Sequence, residues 1–180
     1  MRIQKNARPL EGTSEAGKLN SNTPMVPPHK QFCNFIGAVF EPTDIVEYRP
    51  IETWTENGKK RSRVVAGRRW LTATELQEQF HNVLAVAAAP ECGNAFYGVC
   101  PRPQDGDSRS EHVRVVRALW ADLDDVTVEA ARYRWSEAGL PDPSIIVGSG
   151  HGVHAYWILD EPVHIESVED QHRVESVLRR

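Results

Sequence analysis

The chain has 180 residues, of which 40% are hydrophobic and five are tryptophan, so it is one domain or one domain with a tail. Lysine and arginine number 21 against 25 aspartates and glutamates, a net charge of −4, which excludes a general polyanion binder and confines any nucleic-acid contact to a local basic surface. No apolar run approaches the ~20 residues that cross a bilayer, the start lacks a signal-peptide core, and Cys33, Cys92 and Cys100 without a C-x-x-C pair read as reduced thiols of a cytoplasmic protein.

Residues 1 to about 30 are rich in Ser, Asn, Pro, Gly, Lys and Glu, cannot bury enough apolar surface to offset ordering, and are expected to be a disordered tail. Order is expected from Gln31, with Phe32, Phe35, Ile36, Val39 and Phe40 as the first apolar group. Asp44–Glu52 alternates as a strand, Asn57-Gly58 is a two-residue hairpin signal, and Arg63-Val64-Val65 lies on the return arm. Thr72 and Glu75 have the spacing of a capping box, which opens a helix over 73–87 with Leu76, Phe80, Val83 and Leu84 along one stripe. Phe96-Tyr97-Gly98-Val99 reads as a short buried strand, and 103–111 as an exposed polar loop. Val113–Asp124 reads as a strand. Thr127 caps a helix over 128–138 whose inner face is Val128, Ala131 and Trp135, stopped by Gly139 and Pro141. Ser144–Val147 and Val153–Leu159 form an antiparallel pair around a glycine turn, Asp160 falls in a Leu-Asp-Glu-Pro turn, and a last helix starts near Ser167. The order strand, helix, strand, turn, strand predicts an α+β domain with a mixed or antiparallel sheet, helices on one face and the other face free.

Two stretches carry chemistry. In Ala118-Leu119-Trp120-Ala121-Asp122-Leu123-Asp124, strand geometry sets Asp122 and Asp124 on one face and Leu119, Ala121 and Leu123 on the other. Two neighbouring anions repel unless a cation sits between them, and hard oxygen donors of this kind suit Mg2+ or Mn2+. The alternative is that this pair only caps the helix after Thr127. The second stretch, Gly148-Ser149-Gly150-His151-Gly152-Val153-His154, has few side chains to cover its backbone amides and so can form an anion-binding concavity; equally, it can be a plain hairpin between core strands. His154 lies on the strand and shares a face with Tyr156, whereas His151 falls at the turn tip. Their spacing of three puts the rings on opposite faces, which argues against the His-x-His of a nicking nuclease. Lys59, Lys60, Arg61 and Arg63, with Arg68-Arg69 nearby, form a basic cluster on the hairpin, either a solvated tip or a phosphate-contact surface.

Trp120–Asp124, followed by Ser144–Trp157, resembles the first two motifs of the archaeo-eukaryotic primase superfamily, closest to the primase-polymerases of plasmids, phages and mobile elements. Phe96–Arg102 resembles the segment that precedes the acidic strand in those proteins, and the likeness runs over roughly residues 35–165. It implies an RRM-like catalytic core with a small N-terminal α/β unit, and a primase-polymerase domain over 31–180. It also implies template-directed nucleotidyl transfer with two metal ions, DNA template and nucleoside triphosphates as partners, and a replicative helicase domain or protein as a further partner. Asp122 and Asp124 would hold the metal and, with His154, be catalytic. Ser149, Gly150, His154 and Arg102 would bind nucleotide, and Lys59, Lys60, Arg61 and Arg63 would bind DNA. The family's third metal-binding Asp has no counterpart after Asp160, and the last helix has no stop signal. The expectation is an N-terminal fragment with weak metal binding and little turnover alone. The competing readings are a non-catalytic RRM-like single-strand binder and a replication initiator.

Overall fold

A computed structural model of the chain describes residues 27–64, 69–87, 94–102, 109–149 and 152–178. The tail expected over 1–30 lies outside these residues up to position 26, as do Arg68, Cys92, most of the 103–111 loop, Gly150 and His151. The chain divides into two compact units: Phe40–Val115, and the chain up to Val39 together with everything from Val116 onward.

In the Phe40–Val115 unit, β1 (Ile45–Glu56) is the hub, and β2 (Lys59–Val64), β3 (Arg69–Thr72) and β4 (Asn94–Tyr97) all pair with it antiparallel. The β1–β2 hairpin turns at Asn57 and Gly58, with φ of 51° and 72°. Two successive left-handed residues define the turn whose twist matches that of the flanking strands, which is why Asn-Gly signals it. β1 extends to Glu56, four residues past the predicted end, because Thr53–Glu56 go on pairing with Lys59–Ser62 of β2 up to the turn. Thr72 and Glu75 form the capping box: the Thr72 side chain accepts from the Glu75 N–H at 3.1 Å, and the Thr72 N–H donates to Glu75 Oε2 at 2.8 Å. These bonds to Thr72, backbone first, hold the Glu75 carboxyl below its usual range. The predicted single helix is two, α2 (Ala73–Glu78) and α3 (Phe80–Ala87), joined at Gln79. Tyr48 Oη–H donates to the Val83 carbonyl at 3.0 Å and ties β1 to α3.

The other unit holds α1 (Pro28–Val39), β5 (Val115–Asp124), α4 (Val128–Glu137), β6 (Ile145–Gly148), β7 (Gly152–His164) and α5 (Val168–Leu178). Its sheet order is β5-β7-β6, so the strand that follows the β5–α4–β6 crossover is inserted between the two strands joined by it. This is the split β-α-β arrangement of RRM-like sheets, and the fold class is α+β as the pattern predicts. The β6–β7 register sets Val147 opposite His154 and Ile145 opposite Tyr156. Successive side chains on β7 serve opposite faces. Trp157 meets Trp135 of α4 edge-on at 6.2 Å, and its indole N–H donates to the Pro141 carbonyl at 2.8 Å. Tyr156, on the reverse face, meets Phe35 of α1 at 5.1 Å. Thus α1 takes part of the face that the sequence pattern leaves free. Asp160 belongs to β7 rather than to a turn, as an exposed strand residue. Asp170, in the first turn of α5, accepts from the Ser167 hydroxyl at 2.8 Å and is a helix-capping acid. Bonds from Ser167 and Glu166 hold its carboxyl below the ordinary range.

Gly152 sets how β7 enters the sheet. A Cβ there would fall on the Leu123 carbonyl oxygen and within 3.0 Å of the Asp124 Cα, whereas one at Gly148 would meet open space. Backbone against backbone leaves no flexible side chain to yield. Gly152→Ala is therefore expected to lower unfolding stability by about 1–3 kcal/mol, and Gly148→Ala to leave it within about 0.5 kcal/mol, both read from urea denaturation midpoints.

Candidate functional site

The site grows from the end of β5. Asp125 takes a left-handed conformation, φ 54°, and turns the chain out of the strand, so Asp124 is the last residue of β5. An aspartate tolerates that region better than most residues because its short polar side chain bonds locally. α4 then begins on its own cap: the Thr127 side chain accepts from the Ala130 N–H at 3.2 Å. Glu129, in the first turn, is held below its usual range by bonds to its own backbone N–H and to Thr127. Since Thr127 supplies the capping bond, Asp122 and Asp124 are not needed to start α4.

Gly152 lies against Leu123 and Asp124, and the His154 ring meets Asp122, so residue number falls on β5 as it rises on β7. His154 Nε2 is 3.3 Å from Asp122 Oδ1, with the side chains 35% and 62% exposed. An exposed pair of this kind adds little stability. Its content is positional, an imidazole fixed beside a carboxylate at a strand end. Asp124 is exposed two residues along the same face. The Ser149 N–H donates to the Gly152 carbonyl at 3.0 Å, which closes the glycine turn and leaves Ser149 exposed at its edge. The structure therefore brings Asp122 and His154 together, with Asp124 and Ser149 on the adjoining backbone; Gly150 lies outside the described residues.

Among the described residues no three His, Cys, Asp or Glu side chains converge as a ready-made metal cage. Two exposed carboxylates are nonetheless a fitting donor set for Mg2+ or Mn2+. Such ions keep several waters and bind through one or two carboxylates plus a substrate's phosphates, rather than through an all-protein cage. A zinc site would need convergent imidazole and thiolate ligands instead. Cys100 is no candidate: burial pushes its thiol up to about 11, against the pull of Arg102, and a thiol so shifted is a poor nucleophile.

Arg102 belongs to the Phe40–Val115 unit and is 12% exposed. Its Nε lies 3.7 Å from Oε2 of Glu47, which is fully buried, and its Nη1 donates to the Arg109 carbonyl at 3.3 Å. Arg49 Nε approaches the other Glu47 oxygen at 3.5 Å. Glu47 thus sits between two guanidiniums, and Arg102 has a structural task that the sequence pattern does not reveal. The clue was a glutamate inside the apolar run Ile45-Val46-Glu47-Tyr48. Lys59, Lys60, Arg61 and Arg63 stand exposed on β2, with Arg63 Nε 2.6 Å from Glu52 and Arg61 Nε 3.4 Å from Glu56. Arg69 is on β3, outside the hairpin, with its Nη1 donating to Gln79 at 3.4 Å.

Residues 109–177 match the family described as Replicase family. Among solved structures, the chain is similar to the AEP domain of the cyanophage S-2L primase-polymerase (PrimPol). That similarity has a TM-score of 0.49 and 16% sequence identity, covering 82% of this chain and 71% of that one. No curated protein matches the chain in a sequence search.

Proposed function

We propose that the chain is a primase-polymerase of the archaeo-eukaryotic primase superfamily, acting in DNA replication by template-directed nucleotidyl transfer. The observation that carries this reading is the Asp122–His154 contact of 3.3 Å, made across β5 and β7 beside a glycine turn. It joins the two sequence motifs that resemble the superfamily into one small surface, through residues 32 positions apart. The Replicase family match over 109–177 spans all of Asp122, Asp124, Ser149 and His154.

Asp122 and Asp124 would hold the divalent ions, which supply neutralisation of phosphate charge and activation of the attacking hydroxyl. The chain's own contribution is position. The β5 backbone fixes the two carboxylates two residues apart on the same face, with no rearrangement at the moment of reaction. His154 presents an N–H next to the carboxylate, where it can donate to a phosphate oxygen of the incoming triphosphate. The Ser149 hydroxyl, at the rim of the turn, can donate to another. Basic residues of the β1–β2 hairpin would meet template phosphates. The same sheet face carries acids, which repel phosphate in the absence of metal, so a metal-free single-strand binder is the poorer reading of this surface.

The test is binding of a labelled nucleoside triphosphate with Mg2+ or with chelator. Wild type is expected to bind in Mg2+ and to lose binding in chelator. The double variant Asp122→Asn/Asp124→Asn is expected to lose at least about tenfold in Mg2+-dependent affinity with an unchanged circular dichroism spectrum. His154→Ala is expected to lose about tenfold or more, the worth of one charge-assisted hydrogen bond. Equal triphosphate affinity with and without Mg2+, or an unaltered affinity in the double variant, would remove the reading.

A further inference from the structure

The β1–β2 hairpin combines three features that the capture of phosphate alone does not require. First, Trp54 is a strand residue with its indole 39% exposed, whereas Trp135 and Trp157 are 4% and 6% exposed. Second, the ring is flanked by cations. Arg61 is its direct cross-strand partner, and the Arg63 guanidinium lies 5.7 Å from its centroid. Arg63 also pairs with Glu52 at 2.6 Å and Arg61 approaches Glu56 at 3.4 Å, on the same face as the ring. Third, the hairpin is locally positive. From Glu52 to Val64 it carries four cations (Lys59, Lys60, Arg61, Arg63) and two acids (Glu52, Glu56), a net of +2 on a chain whose net charge is −4. Lys59 and Lys60 make no ion pair among the described residues, and every residue of β2 is exposed.

We propose that this hairpin is a stacking arm for single-stranded nucleic acid. The Trp54 indole receives an unpaired base, Arg63 lies beside the ring, and Lys59, on the same face of the hairpin, takes a backbone phosphate. An aromatic face set among cations is the arrangement that holds single strands without reading sequence, since every base offers a π-face and every nucleotide a phosphate. An acidic protein surface would satisfy the charge but would leave the ring without its stacking partner. The proposal rests on the replication reading, to which it adds the surface that meets the unpaired template.

The experiment is titration of a labelled oligothymidine, and of a duplex of equal length, over a range of salt concentrations. The chains compared are wild type, Trp54→Ala, Trp54→Phe, Lys59→Gln and Lys60→Gln. Trp54→Ala is expected to weaken single-strand binding about tenfold or more, with the slope of log K against log salt unchanged. Trp54→Phe, which keeps a ring and reports on folding, is expected to retain most of the affinity. Lys59→Gln is expected to lower the slope by about 0.7, one single-strand phosphate contact, and Lys60→Gln, on the reverse face, to leave it unchanged. Single-strand affinity unchanged in Trp54→Ala, an equal loss on duplex, or an unchanged slope in Lys59→Gln would overturn the proposal. So would a wild-type chain that binds no oligothymidine. Triphosphate binding by wild type in Mg2+ is read separately. If it is absent while the Trp54 effect stands, the nucleotidyl-transfer reading fails and the arm survives. The reverse result removes the arm alone.

Discussion

At Gly152 two backbones pass so closely that no side-chain carbon fits between them, and the rest of the site follows from that approach. With the start of β7 seated on Leu123 and Asp124, the side chain two residues on, His154, comes level with Asp122. Had the glycine turn been held off by even one methyl group, β7 would enter the sheet displaced or tilted and the imidazole would no longer face the carboxylate. The glycines of the turn therefore have separable duties. Gly152 makes room for a neighbouring strand, while Gly148 stands in open space and leaves the backbone uncovered. Neither relies on the left-handed conformation that glycine usually supplies, which the chain uses instead at Gly58 and Gly139.

Electrostatics are organised differently in the two units. In the unit that holds β5 and β7, the acids are exposed at the end of a strand, where a cation and a polyanionic ligand can reach them. In the interior of the Phe40–Val115 unit, charge is matched by charge. Glu47 is wholly buried between Arg49 and Arg102, and burial of such a carboxylate is tolerable only with partners of opposite sign. Gly98 packs next to this group: a Cβ there would lie 3.5 Å from Arg102 Nε and 3.7 Å from the Glu47 Cβ. The exposed hairpin lies between these extremes, with half of its positive charge matched by its own acids.

What could be read from the sequence was what neighbouring residues decide. The Asn57-Gly58 turn, the Thr72–Glu75 capping box, the Thr127 cap and the alternation that pairs Asp122 with Asp124 all depend on a few adjacent positions, and each stands as read. The elements that escaped depend on distant partners or carry no local mark. β3 is four residues whose only strand signal is their pairing with Ile45–Tyr48. The break at Gln79 has neither Gly nor Pro to announce it. The place of α1 on Tyr156, and the burial of Glu47 beside Arg102, arise from contacts more than fifty residues apart. Trp54 is inconspicuous in the sequence for the opposite reason: an aromatic residue in a strand is ordinarily core, and only its exposure in the folded hairpin sets it apart.

The arrangement of the two units has a consequence for how the chain acquires its structure during synthesis. Phe35 of α1 leaves the ribosome some 120 residues before Tyr156, the ring it meets in the folded chain. Closing so long a loop costs only slightly more entropy than closing one half its length, but it cannot happen early. Meanwhile β1 acquires β2, β3 and β4 in succession, each from further along the chain. The Phe40–Val115 unit can therefore be complete before β7 reaches α1, and the acid-bearing sheet closes after it.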